Sequence, residues 1–193
     1  MHFADRIPGV ALASLILILT LHGTALGDHG HGPAKPVDSV LRVAVGEMAP
    51  DFTLPDLAGN PVRLRDFRGR KNVVLSFVPA AWTPVCSDQW PGYNLITDLL
   101  DQHDTVLLGI TVDNTPSQHA WVQAMGGLKF PVLSDFWPHG AVADEYGILR
   151  SSGEAERALF VIDKQGVLRF IDVHDINTRP DLVLLVREVE KLD

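Results

Sequence analysis

The chain has one cysteine in 193 residues, and the residues before it suit nucleophilic chemistry. Phe77-Val78-Pro79-Ala80-Ala81-Trp82-Thr83-Pro84-Val85-Cys86 follows a β-branched apolar run and ends where a helix is expected to start. A thiol at a helix start lies among backbone N–H groups that lack intrahelical partners and at the positive end of the helix dipole. Both favour the thiolate, the nucleophilic form of the side chain. Thr83 can place a hydroxyl beside the sulfur, and an arginine from elsewhere can add fixed charge. A lone thiolate with a hydroxyl and a guanidinium is suited to attack on a polar O–O bond. It cannot form an intramolecular disulfide, a dithiol redox centre or a thiolate-rich metal site. Taken alone, Cys86 also fits a small buried apolar residue, since many free cysteines are only that.

The elements that would position these residues alternate along the chain. Phe52–Pro55 and Val62–Leu64 flank the turn cluster Ala58-Gly59-Asn60-Pro61 and predict a hairpin. Residues 72–78, NVVLSFV, read as a strand buried on both faces of a sheet. After Cys86, residues Tyr93, Ile96, Leu99 and Leu100 share one helical face. Residues 105–112 predict a second buried strand. Thr115-Pro116-Ser117-Gln118 then predicts a helix start, with Thr115 as N-cap, Pro116 as first helical residue and Gln118 closing a capping box. Ala120, Trp121, Ala124 and Met125 would be that helix's apolar face. A short strand at 130–133 and a short helix at 141–146, ended by Gly147, come next. Residues 158–162 and 167–173 flank the turn Asp163-Lys164-Gln165-Gly166, and Pro180 opens a last helix that buries Leu182, Leu185, Val186, Val189 and Leu192. Parallel units followed by an antiparallel hairpin and a terminal helix make a mixed central sheet with helices on both faces. That outline is an α/β domain of thioredoxin-like fold.

Composition bounds the rest. The chain is 46% hydrophobic and 21% charged, which excludes a disordered chain and fits one domain. A net charge of -8 argues against nucleic acid as a partner. Arg63, Arg65, Arg68, Arg70 and Lys71 form a basic cluster that reads as a solvated hairpin edge. No metal-ligand spacing is found among His103, His119, His139 and His174, so no metal or other cofactor is expected.

Residues 1–27 read as a cleavable secretory signal peptide. Val10–Leu21 is almost uninterruptedly apolar, and Ala25-Leu26-Gly27 places small residues at a cleavage site after Gly27. An uncleaved membrane-anchoring helix is the alternative, because the uncharged stretch Ile7–Gly27 approaches the ~20 residues a span needs. Residues 28–40, opening DHGHGPAKP, read as a flexible linker, and 41–193 as the folded domain. Export from a bacterium means the periplasm, the expected location, or the outside, where free cysteines are uncommon and usually kept for their reactivity.

The loop Pro79-Ala80-Ala81-Trp82-Thr83-Pro84-Val85-Cys86 resembles the active-site loop of the peroxiredoxins (AhpC/TSA-type thiol peroxidases), Pro-x-x-x-Thr-x-x-Cys. Gly46-Glu47-Met48-Ala49-Pro50-Asp51-Phe52-Thr53-Leu54 resembles that family's opening segment, and Arg157 falls where the family keeps its catalytic arginine. The resemblance runs from about Gly46 to the end of the chain. It implies a thiol-dependent peroxidase acting on hydrogen peroxide or organic hydroperoxides in antioxidant defence. Cys86 would attack the peroxide and become a sulfenic acid. Thr83 would hydrogen-bond thiolate and peroxide, Arg157 would stabilise the shifting charge, and Pro79 would shield the site from water.

The chain departs from the family in two places. Gln89 stands where the family usually has a glutamate paired with the arginine; an amide accepts from a guanidinium more weakly than a carboxylate does. Pro91 lacks the N–H that would bond to Ser87 and is expected to kink the helix after about one turn. With no resolving cysteine, this looks like the one-cysteine type. The sulfenate would be met by an external thiol reductant, a thioredoxin-like protein or a low-molecular-weight thiol, or by Cys86 of a second subunit in a homodimer. Two other functions are weighed: an exported thioredoxin-like thiol-disulfide oxidoreductase, which Trp82-Thr83-Pro84-Val85-Cys86 resembles with threonine at the first cysteine, and a non-catalytic binding module on the same scaffold.

Overall fold

The protein is described here by a computed structural model covering residues 35–192. The expected signal peptide and residues 28–34 of the expected linker lie outside the described residues. In chain order the elements are β1 (Thr53–Pro55), β2 (Pro61–Arg63), β3 (Asn72–Phe77), α1 (Pro84–Tyr93), α2 (Thr97–Gln102), β4 (Thr105–Thr111), α3 (Thr115–Ala124), β5 (Val132–Ser134), α4 (Ala141–Tyr146), β6 (Arg157–Ile162), β7 (Leu168–His174) and α5 (Leu182–Glu190). A short 3-10 turn at Leu64–Phe67 follows β2.

β3 is the centre of the molecule. All six of its residues are buried, as its unbroken apolar run requires of a strand covered on both faces. It pairs in parallel with β4 and antiparallel with β6, within a sheet of order β5-β4-β3-β6-β7. Val73, Leu75 and Phe77 point to one face, against Val142, Ala143 and Tyr146 of α4 and Leu54 of the hairpin. Val74 and Val78 point to the other, against Trp90 and Tyr93 of α1, Trp121 of α3, and Leu185 and Val189 of α5. This is the mixed sheet with helices on both faces, the thioredoxin-like α/β arrangement that the sequence order implies. Among the described residues no helix is long and apolar enough to cross a membrane.

Ser76 is a buried polar residue facing the α1 side, and it receives the Trp90 Nε1–H at 3.1 Å. Its register partner on β4 is Gly109. A Cβ there would come within 2.9 Å of the Trp90 ring and 3.1 Å of Phe130. The missing side chain is what lets the indole lie flat on the sheet and seat α1 beneath the cysteine.

Four local expectations are corrected. The N-cap of α3 is Asn114, whose side chain accepts from Ser117 N–H at 2.9 Å, and Thr115 is already helical. Gln118 closes no capping box; its amide is drawn inward, donating to Thr111 Oγ1 at 3.0 Å and to the Leu133 carbonyl at 2.8 Å. The buried face of α3 is therefore Gln118, Trp121 and Val122, with Ala120 and Ala124 exposed. The helix after Cys86 runs through Pro91 to Tyr93, and the interruption falls at Asn94–Ile96, further on than the proline alone suggests. Pro91 leaves the Ser87 carbonyl without its helical donor but still fits the last turn.

Candidate active site

The loop from β3 to α1 carries the site. Val78 N–H continues the sheet to the Ile110 carbonyl at 3.1 Å, and Pro79 follows it, buried. Asp113, just past the end of β4, then pins the loop. Its Oδ2 accepts from Ala81 N–H and from Thr111 Oγ1, both at 2.7 Å. Trp82 takes a left-handed conformation (φ 67°) and stands 58% exposed. A bulky residue there costs about 1–3 kcal/mol, and such strain gathers at functional sites. The turn it makes lets Thr83 return to extended geometry as the N-cap and Pro84 open α1.

Cys86 lies in the first turn of α1, fully buried. Arg157, the first residue of β6 and itself 1% exposed, donates from Nη2 to Cys86 Sγ at 3.5 Å. Its Nη1 donates to Gln89 Oε1. Its Nε and Nη2 converge on the Ile176 carbonyl at 3.2 and 3.0 Å. The planar fork of a guanidinium suits this division: two edges are held, and one N–H is left for the sulfur.

The structure thus brings Cys86, Arg157 and Gln89 into direct contact across strands and helix. Thr83 is placed one turn before Cys86, and its hydroxyl donates to the Ala80 carbonyl at 3.1 Å. That bond fixes the hydroxyl proton and leaves the oxygen lone pairs to accept. Behind Gln89 a polar cluster completes the site: Gln89 Nε2 donates to Tyr93 Oη at 2.7 Å and lies 3.5 Å from Ser76 Oγ. Sequence reasoning missed Asp113, Tyr93 and the Ile176 carbonyl. Asp113 has a readable signal, an Asx residue directly after a buried strand; a backbone carbonyl has none.

Burial pushes the Tyr93 phenol up to about 12, against the lowering effect of the Gln89 hydrogen bond. Burial also raises the phenol of Tyr146, which donates to the Pro50 carbonyl at 2.9 Å. These are the only two tyrosines in the chain. An alkaline titration followed by tyrosinate absorbance should therefore show little ionisation at pH 10.0, where a free tyrosine is half ionised. Because the fold holds the Tyr93 phenol neutral, its contribution to stability is whole below that pH and is lost as pH rises through about 12, and that of Tyr146 is lost only at higher pH. Half-ionisation at pH 10.0 in the folded protein would contradict this.

Two cavities flank α1 near the cysteine. One, of about 330 Å³, is lined by Pro84, Val85, Asp88, Asn177, Thr178 and Arg179. The other, of about 260 Å³, reaches Gln89 and Tyr93 beneath Arg179 and Pro180. Arg179 lines both and pairs with Asp88 at 2.7 Å. Among the described residues no cluster of three metal-ligating side chains occurs.

A buried helix-start thiol bonded by a guanidinium, on a mixed sheet of this order, defines a thioredoxin-fold protein built for thiol-based redox chemistry. Comparison narrows the class. The AhpC/TSA family model matches residues 45–171, and the chain belongs to that family. It is 41% identical to alkyl hydroperoxide reductase E of Mycobacterium tuberculosis over 130 residues, covering 67% of this chain and 84% of the relative. It is 34% identical to peroxiredoxin-1 of Gallus gallus over 146 residues, covering 70% and 72%. The reduced 2-Cys peroxiredoxin of Plasmodium vivax superposes with a TM-score of 0.71 at 26% identity, covering 77% of this chain and 81% of that one.

Proposed function

We infer that this chain is a thiol-dependent peroxidase that reduces hydroperoxides through Cys86, as its family membership and its peroxidase relatives support. The observation that carries the assignment of residues is the bond from Arg157 Nη2 to Cys86 Sγ. The Cys86 thiolate attacks the terminal peroxide oxygen. An S–O bond forms as the O–O bond breaks, the sulfur is oxidised by two electrons, and the departing oxygen takes a proton to leave as an alcohol or water. Arg157 stabilises the negative charge as it passes from sulfur to the leaving oxygen. Thr83, its own proton held by Ala80, accepts from the peroxide O–H. Pro79, buried on the same loop, keeps water from the reacting atoms.

The chain has no second cysteine, which supports a one-cysteine cycle. The sulfenic acid condenses with an external thiol, a thioredoxin-like protein or a low-molecular-weight thiol, releasing water. A further thiol then cleaves that disulfide and restores Cys86. In a homodimer, Cys86 of the second subunit is the other thiol available. The apolar run and small-residue site at residues 10–27 support an exported, periplasmic enzyme.

The test is to treat the reduced protein with one equivalent of hydrogen peroxide or an alkyl hydroperoxide in the presence of dimedone. A stoichiometric adduct on Cys86, found by peptide mass spectrometry, is expected. A protein that consumes no peroxide and takes no adduct would defeat the reading.

A further inference from the structure

Beside Arg157 lies a buried ion pair that the reaction does not use. Arg150 and Glu156, whose side chains are 5% and 0% exposed, meet at 2.5 Å. A buried pair is often replaceable by apolar residues without loss of stability, so its worth is sought in what else its two side chains hold. Among the described residues, its other side-chain bonds go to one segment. Arg150 Nη2 donates to the Lys35 carbonyl at 2.8 Å, and Asp38 N–H donates to Glu156 Oε1 at 2.6 Å. Asp38 in turn accepts at Oδ2 from Ser151 N–H and Oγ–H and at Oδ1 from Lys35 Nζ. Those bonds, led by the Ser151 hydroxyl, hold the Asp38 carboxyl down at about 2, so the anchor stays charged at neutral pH. Lys35 and Pro36 are exposed, and Val37 and Asp38 are only half-buried. Polar anchors, not packing, keep this segment in place.

Between the anchors the segment does one further thing. The Pro36 carbonyl accepts from Ile176 N–H at 3.1 Å. The carbonyl of that same Ile176 receives both Nε and Nη2 of Arg157. An unbroken series of hydrogen bonds therefore runs from the ion pair through Lys35–Asp38 and Ile176 to the guanidinium on the sulfur.

We propose that Glu156, with Arg150 and Asp38, is a positioning residue of the active site: it straps Lys35–Asp38 across Ile176, and the strapped carbonyl aims Arg157 at Cys86. The proposal rests on the role given to Arg157 above. Released, Ile176 would move with its loop, and the fork would be held by Gln89 alone.

The test uses the full chain with Asp38→Ala, which removes an outer anchor and leaves the buried pair intact, and with Glu156→Gln. The first readout is the Arg157 Nε–H resonance in ¹H–¹⁵N spectra, identified by its loss in Arg157→Lys. Its solvent exchange should be slow in the wild type and faster by about threefold to tenfold in both variants, the range one net hydrogen bond spans. Sulfenate formation should slow by a similar factor, and that slowing should vanish in an Arg157→Met background. Unchanged Nε–H exchange in Asp38→Ala overturns the proposal, as does equal slowing with and without Arg157. Should Glu156→Gln not fold, Asp38→Ala alone decides. The exchange readout needs no peroxide, so a failed peroxidase assignment and a failed strap are separately visible.

Discussion

Cys86→Ser is expected to reduce peroxide consumption to the uncatalysed level and to eliminate the dimedone adduct, with the fold retained. The replacement is nearly isosteric, and a serine Oγ can still accept the Arg157 Nη2–H now given to the sulfur. No buried donor is stranded, so stability should change by no more than about 1 kcal/mol. The chemistry has no such continuity. A thiolate is a polarisable nucleophile toward oxygen, whereas a serine hydroxyl stays protonated and adds poorly to it. With no other cysteine in the chain, no second residue can take over. Peroxide consumption with a small dithiol as reductant, measured beside thermal melting, reads both halves. A serine variant that still turns over would remove the cysteine from the mechanism.

Arg157→Met should lower the rate constant for sulfenate formation by about 10²- to 10³-fold, the usual cost of losing one preorganised donor to developing charge. Methionine can fill much of the buried space but cannot donate. Gln89 Oε1 and the Ile176 carbonyl would lose their guanidinium donors, and each stranded acceptor costs about 1–3 kcal/mol. Stability should therefore fall together with rate. Arg157→Lys separates the two effects. It keeps a charge, but a point charge cannot span Cys86, Gln89 and Ile176 at once, so its rate should lie between wild type and methionine. Stopped-flow traces under excess peroxide give the constants directly. A methionine variant within about threefold of wild type would mean that the guanidinium does not act on the transition state.

Much of this architecture could be read from residue patterns, and the reasons are physical. β3 announces itself because burial on both faces demands an uninterrupted apolar run, and the turn at Asp163–Gly166 because Gly166 adopts φ 87°. Cys86 follows a buried strand by a short loop, where a helix is expected to begin, and it lies in the first turn of α1. Arg157 required the family's order of segments, since a lone arginine opening a strand has no signature of its own. What stayed hidden was decided by tertiary competition. Gln118 fits a capping box locally, but Thr111 and Leu133 offer its amide buried partners that only the folded sheet assembles. The left-handed Trp82 contradicts its own propensity and is held by Asp113 through Ala81. The Ile176 carbonyl belongs to the backbone and leaves no mark on composition.

The complete burial of Cys86 bears on the second half of the cycle. A hydroperoxide group is small, but a protein-sized reductant cannot bring its own sulfur to an atom enclosed by α1, β6 and the Ile176 loop. Reduction by such a partner would require the first turn of α1 to come away from Arg157. The rate of recovery is then set by a local opening equilibrium of the fold, and thiol reactivity enters only after it. With no surface open even to water, the sulfur must be uncovered slightly for a hydroperoxide and more widely for a protein reductant, so the dependence on peroxide and on reductant would report two different degrees of opening around the same cysteine.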